Sequence, residues 1–203
     1  MPRLSRLGRR ALKTRQGAIA IIAVICFITG IIAGAVALIS RGAIEQASIA
    51  AELASHITSL AGHYQAPDAQ EILQNFVSNL IFVAVIWVLA FARTAGFLSF
   101  MVVMLQGASY GFTTAALVAA FGIVDGLAAT LVYLPQALIL APTLLYVCTS
   151  SVKYVCLTRG GRPNSDEASL RRYTKTLAIA AIFAAFATLL DVYLSTFVAR
   201  QLF

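Results

Sequence analysis

Apolar residues fill five long blocks of this chain, and polar residues collect between them. The blocks run over about Gly17–Ile39, Val77–Phe91, Gly96–Phe121, Leu127–Val155 and Leu177–Phe197. A hydrocarbon layer about 30 Å thick takes roughly 20 apolar helical residues to cross. Each block therefore predicts a transmembrane helix. The second is short because its helix starts earlier, near Ala69, where Asp68 and Glu71 stand three apart in the pattern of a capping box. Thr158–Asn164 is turn sequence, and Ser165 is placed to cap the last helix. Asp166 and Glu167 then fall in its first turn, where the helix dipole favours acids.

Two stretches depart from a plain apolar block. Leu134-Pro-Gln-Ala-Leu-Ile-Leu-Ala-Pro142 carries two prolines seven residues apart. Proline removes a backbone donor and clashes with the carbonyl four residues back. In hydrocarbon that carbonyl needs another partner, so the fourth span is expected to be proline-broken. The second stretch is Gln106-Gly-Ala-Ser-Tyr-Gly-Phe-Thr-Thr114, apolar at its flanks and polar at its centre. The two are expected to face each other or other helices, not lipid. The 41–76 segment has its own helical spacing at Leu53, Ile57 and Leu60, which Gly62 to Pro67 ends.

Composition agrees with the blocks. The chain is 60% hydrophobic and 11% charged, against about 25% charged in soluble domains. An all-α integral membrane protein with one membrane domain over residues 1–203 follows. The net charge of +7 suggests nucleic acid until the charges are placed. Arg3, Arg6, Arg9, Arg10, Lys13 and Arg15 precede the first span. Arg93, Lys153, Arg159, Arg162, Arg171, Arg172 and Lys175 join them on one side if there are five spans, leaving only Arg41 and Arg200 opposite. Lys and Arg gather on the cytoplasmic side. Residues 1–16 and the 156–176 loop are thus expected inside, and the 41–76 loop and the C-terminus outside. The Gly17–Ser40 run exceeds the 7–15 residues or so of a signal-peptide core, so it is expected to stay as a signal anchor.

Candidate chemistry is sparse. Cys26, Cys148 and Cys156 have no paired spacing and read as packing residues. His56 and His63 stand seven apart near Glu52, but Gly62 interrupts their helix and no third ligand is close in sequence. They read as surface residues, and neither a metal nor any other cofactor is expected. Asp191 is an acid within the fifth block, placed to meet the outer interface or to bond with Tyr110 or Gln106. Gly30-Ile-Ile-Ala-Gly34 and Gly107-Ala-Ser-Tyr-Gly111 are small-residue motifs that bring helix backbones together. Packing within the chain is the expectation, with a homo-oligomer as the alternative.

The ordered set of Gln74-Asn-Phe-Val-Ser-Asn-Leu80, Ile86-Trp-Val-Leu89, Gln106–Thr113, Gly122, Gly126, Leu134-Pro-Gln136 and Pro142 resembles the stage II sporulation protein M family. The resemblance implies five spans, N-in and C-out. Broader relatives tend to have Pro-His and then an acid before the second proline. Here Gln136 and Leu140 stand in those places, a pattern similar to that of the sporulation branch. The resemblance further implies a non-enzymatic anchor for peptidoglycan hydrolases in engulfment during endospore formation, at the septal membrane. Its implied partners are membrane lipid and the stage II sporulation proteins P and D. Gln106, Gly107, Gly111, Thr113, Pro135, Gln136, Pro142 and Asp191 are the candidate residues for bundle shape or partner docking. A permease subunit using the broken fourth span is the alternative, and an intramembrane enzyme using Ser109, Tyr110, Thr113 and Asp191 is the third reading.

Overall fold

The computed structural model describes the backbone of residues 2–62, 69–91, 97–158 and 166–202, with side chains over 17–55, 70, 72–91, 97–156 and 170–194. Among these residues the chain is helical, in the order α1 (Pro2–Ile39), α2 (Ala43–Gly62), α3 (Ala69–Leu89), α4 (Leu98–Phe121), α5 (Ile123–Thr130), α6 (Leu134–Thr158) and α7 (Asp166–Leu202). Five stretches are long and apolar enough to cross a membrane: Gly17–Ile39, Ile72–Leu89, Leu98–Phe121, Leu134–Cys156 and Leu170–Leu194. The helix starts at Ala69 and Asp166 fall where the sequence places them. The Asp68–Glu71 cap and Ser165 lie outside the residues whose side chains are described.

Side-chain contacts fix the directions. Tyr154 of α6 stacks on Tyr173 of α7 with ring centroids 4.9 Å apart. Trp87, near the end of α3, lies parallel to the same ring at 6.1 Å. Ser99, at the start of α4, is 3.1 Å from Ser151. One end of the bundle thus joins the ends of α3 and α6 to the starts of α4 and α7. Lys153, Arg171, Arg172 and Lys175 cluster in sequence around these contacts, so this is the basic end. The opposite end carries α2 and α5.

The core is shared by all five spans, with Ala23, Val83, Ile86, Val103, Leu140, Leu144 and Ala184 buried in one cluster. The outside is as apolar as the inside. Ile32, Leu105, Leu138 and Ile182 are each 60–69% exposed. Hydrocarbon, unlike water, exacts no penalty for such a belt.

One expectation needs correction. The fourth span does not begin at Leu127, which belongs to the separate short helix α5. Leu131, Val132 and Tyr133 bond back to the carbonyls three residues earlier, so the chain turns tightly before α6 begins. The interruption therefore precedes Pro135, which sits in the first turn of α6 where a missing N–H costs nothing. Pro142 lies inside α6, which continues on both sides of it. Thr143 donates to the Ile139 carbonyl at 2.7 Å, adding a side-chain bond in that turn.

The helical spacing read at Leu53 falls within α2, which lies against α4 and α7. Ala50 is buried and Leu53 packs beside Leu117 and Ala129. Ile44, Glu45, Ala47, Ser48, Ala51, Glu52 and Ser55 remain exposed.

Candidate functional site: a polar-lined cavity and its amide network

The two small-residue motifs meet each other. A Cβ on Gly30 would strike the Met104 carbonyl, and one on Gly34 the Ala108 carbonyl. Gly107 is closed in by the Phe27 carbonyl and Gly111 by the Ile31 carbonyl. Partner numbers rise together along both helices, so α1 and α4 run parallel with their backbones in contact. Only glycine permits this approach. The motifs are thus occupied within the chain, and Gly107 and Gly111 face α1 and not the prolines of α6.

Packing α4 so tightly on α1 fixes the next face of α4, which borders a cavity of about 370 Å³. Phe27 and Ile31 of α1 form one wall, with Ser109, Tyr110, Thr113 and Thr114 of α4 beside them. Leu53 of α2 and Thr130 of α5 close the α2 end. Tyr133, Leu134, Gln136 and Ala137, around the start of α6, complete the lining. The polar stretch of α4 and the proline-bearing segment of α6 therefore do face each other, across this cavity.

Behind the cavity lies a network of amides. Gln136 Nε2 donates to Asn79 Oδ1 at 3.1 Å and to Asn75 Oδ1 at 3.4 Å. Asn79 Nδ2 donates to the Thr188 hydroxyl at 3.1 Å and to Asn75 Oδ1 at 3.3 Å. Asn75 Nδ2 donates to Asp191 Oδ2 at 2.6 Å. Asn79 and Thr188 are buried, where an unmet polar group costs several kcal/mol in hydrocarbon, of the order of 2–7. The network thus ties α3, α6 and α7 at one register. Asp191 lies within electrostatic reach of Tyr110 and Tyr133, and its carboxylate accepts from Asn75.

Of the sequence-derived candidates, Thr113 and Gln136 line the cavity, and Gln136 and Asp191 belong to the network. Gln106 is buried one turn from Tyr110 on α4. Gly107 and Gly111 form the helix contact, while Pro135 and Pro142 shape α6. Asn75, Asn79 and Thr188 were not singled out by their chemistry. Their signal was present, because Asn75 and Asn79 are amides one turn apart on an apolar helix. His56 and His63 lie outside the residues whose side chains are described. Among the described residues no three of His, Cys, Asp and Glu come together.

Comparison with curated protein sequences and with solved structures finds no match. A family model described as stage II sporulation protein M matches residues 23–196, which take in every residue named above as lining the cavity or building the network. The chain therefore belongs to the stage II sporulation protein M family, and it is a multi-pass membrane protein of that sporulation family.

Proposed function

We propose that this protein is a non-enzymatic membrane anchor that localises peptidoglycan hydrolases to the septal membrane during engulfment. The observation that carries this reading is the family match over 23–196. The stage II sporulation proteins P and D are the proposed partners. Membrane lipid surrounds the apolar belt.

The charge distribution supports an orientation with the basic end in the cytoplasm and α2 outside. The cell wall then lies on the α2 side. There α2 is packed on α4 and α7, with Ile44, Ala47, Ala51 and Glu52 exposed. A packed helix with an open face suits docking of a partner held in the same membrane. Confinement to that membrane raises the partner's effective concentration without added contacts.

Crosslinking tests this placement. Cys26, Cys148 and Cys156 are replaced, and single cysteines are set at Ala47 or Ala51 in sporulating cells. The expected result is a crosslinked product containing a hydrolase from these positions. Capture from neither position, with a hydrolase still bound on purification, would move the docking surface off α2. The purified protein is expected to cleave no peptidoglycan.

The cavity between α4 and α6 is the observation that favours a permease reading. Substrate-dependent uptake into proteoliposomes would establish that reading in place of the anchor.

A further inference from the structure

Four cations crowd one end of the bundle, at the depth where hydrocarbon gives way to headgroups. Arg171, Arg172 and Lys175 stand in the first two turns of the fifth span, Leu170–Leu194. Lys153 stands three residues before the end of the fourth, Leu134–Cys156. Arg171, Arg172 and Lys175 are exposed, and Lys153 is half-buried. Among the described residues no acid pairs with any of the four. Asp166 and Glu167 lie outside the described side chains. Residues three and four apart on a helix meet, and the positions at that spacing from Arg172 and Lys175 hold no acid.

The helix ends that carry these charges are tied together. Tyr154 stacks on Tyr173 at 4.9 Å, and the Tyr173 hydroxyl donates to the Trp87 carbonyl at 3.1 Å. Lys153 and Arg172 each directly precede one of the two stacked rings. Because α6 and α7 run in opposite directions, one step back along each turns both side chains to the same side of the stack.

Beyond the cations the surface of α7 is apolar. Lys175, Ile179, Ile182 and Phe186 follow at intervals of three and four residues and so share one face. Ile179, Ile182 and Phe186 are 44%, 69% and 54% exposed. Lys175 to Phe186 covers about 16 Å of helix, close to one leaflet of a hydrocarbon layer about 30 Å thick. A soluble anion would meet the cations and leave this stripe bare. A lipid meets both.

We propose that the basic end of α6 and α7 is a binding site for an anionic phospholipid. Its phosphate is held by Lys153, Arg172 and Lys175, and one acyl chain lies on Ile179, Ile182 and Phe186. The stems of the cations lie along apolar surface and carry their charges to headgroup level. The site does not depend on the anchor reading, nor on which side of the membrane this end faces.

Native mass spectrometry on the full chain in detergent, stripped of lipid, tests this. Dioleoylphosphatidylglycerol is the probe and dioleoylphosphatidylcholine the comparison. The first phosphatidylglycerol is expected to bind at least about tenfold more tightly than phosphatidylcholine. Arg172→Gln combined with Lys175→Gln should weaken it about 25-fold, roughly fivefold for each charge removed. Arg41→Gln, at the opposite end, should leave it unchanged, and millimolar glycerol 3-phosphate should not displace it. Equal binding of the two lipids, unchanged affinity in the double variant, or the same loss in Arg41→Gln overturns the proposal. Displacement by glycerol 3-phosphate overturns the lipid assignment, because the site would then take a soluble phosphate.

Discussion

Asn75 on α3 donates a 2.6 Å hydrogen bond to the Asp191 carboxylate on α7, across 116 residues of chain. An acid inside a span reads first as a transport or catalytic group. Here it anchors one edge of an amide network that reaches Gln136 at the cavity. Asn75→Leu removes that donor and should lower stability by about 1–2 kcal/mol. Asp191→Asn keeps an acceptor for Asn75 and should cost less than about 1 kcal/mol. Thermal unfolding in detergent micelles compares the two; equal losses would deny the network this role.

The α1–α4 contact predicts a steep asymmetry among glycines. Gly111→Val places a side chain against the Ile31 carbonyl. Backbone yields less than a flexible side chain, so the loss should reach about 3 kcal/mol or more. Gly17→Ala meets nothing within 4 Å and should stay within about 0.5 kcal/mol of the parent. Steric-trapping or melting measurements on both proteins supply the comparison.

The two prolines should behave differently. Pro135→Ala lies in the first turn of α6 and should be nearly neutral, within about 0.5 kcal/mol. Pro142→Ala restores an interior N–H to α6 and should stabilise the isolated protein, by up to about 3 kcal/mol. Melting of the purified variants separates the cases, and equal effects would contradict the assignment of Pro142 as an interior residue.

Orientation is open to chemical labelling. Cys156 is exposed at the basic end, and Ala51 is exposed on α2. With Cys26 and Cys148 replaced, a membrane-impermeant maleimide should label Ala51→Cys on intact protoplasts. Cys156 should react only after lysis. The reverse pattern would invert the proposed topology.

The spans were legible because hydrocarbon imposes one requirement on every residue of a crossing, and composition records it. The start of α3 was legible too, since Asp68 and Glu71 flag a helix beginning ahead of its apolar block. The boundary at Leu127 was misplaced for a physical reason. Residues 123–130 are as apolar as a span, and only the tight turn at 131–133 divides them from α6. Hydropathy does not see a turn made without a polar residue. The glycine motifs announced a close approach, and their mutual pairing became visible once the parallel run of α1 and α4 was known. Asn75 and Asn79 stood in a motif that carried the family resemblance, yet their partner Asp191 is too distant in sequence for spacing to join them. The cavity was anticipated only as two unusual segments facing one another. Its enclosure depends on where α2 and α5 close it, which no local pattern encodes.

The anchor reading is tested most directly by imaging a fluorescent fusion of stage II sporulation protein P in sporulating cells with and without this protein. The account predicts a septal focus in its presence and signal dispersed around the membrane in its absence. Equal septal enrichment in both strains would contradict it.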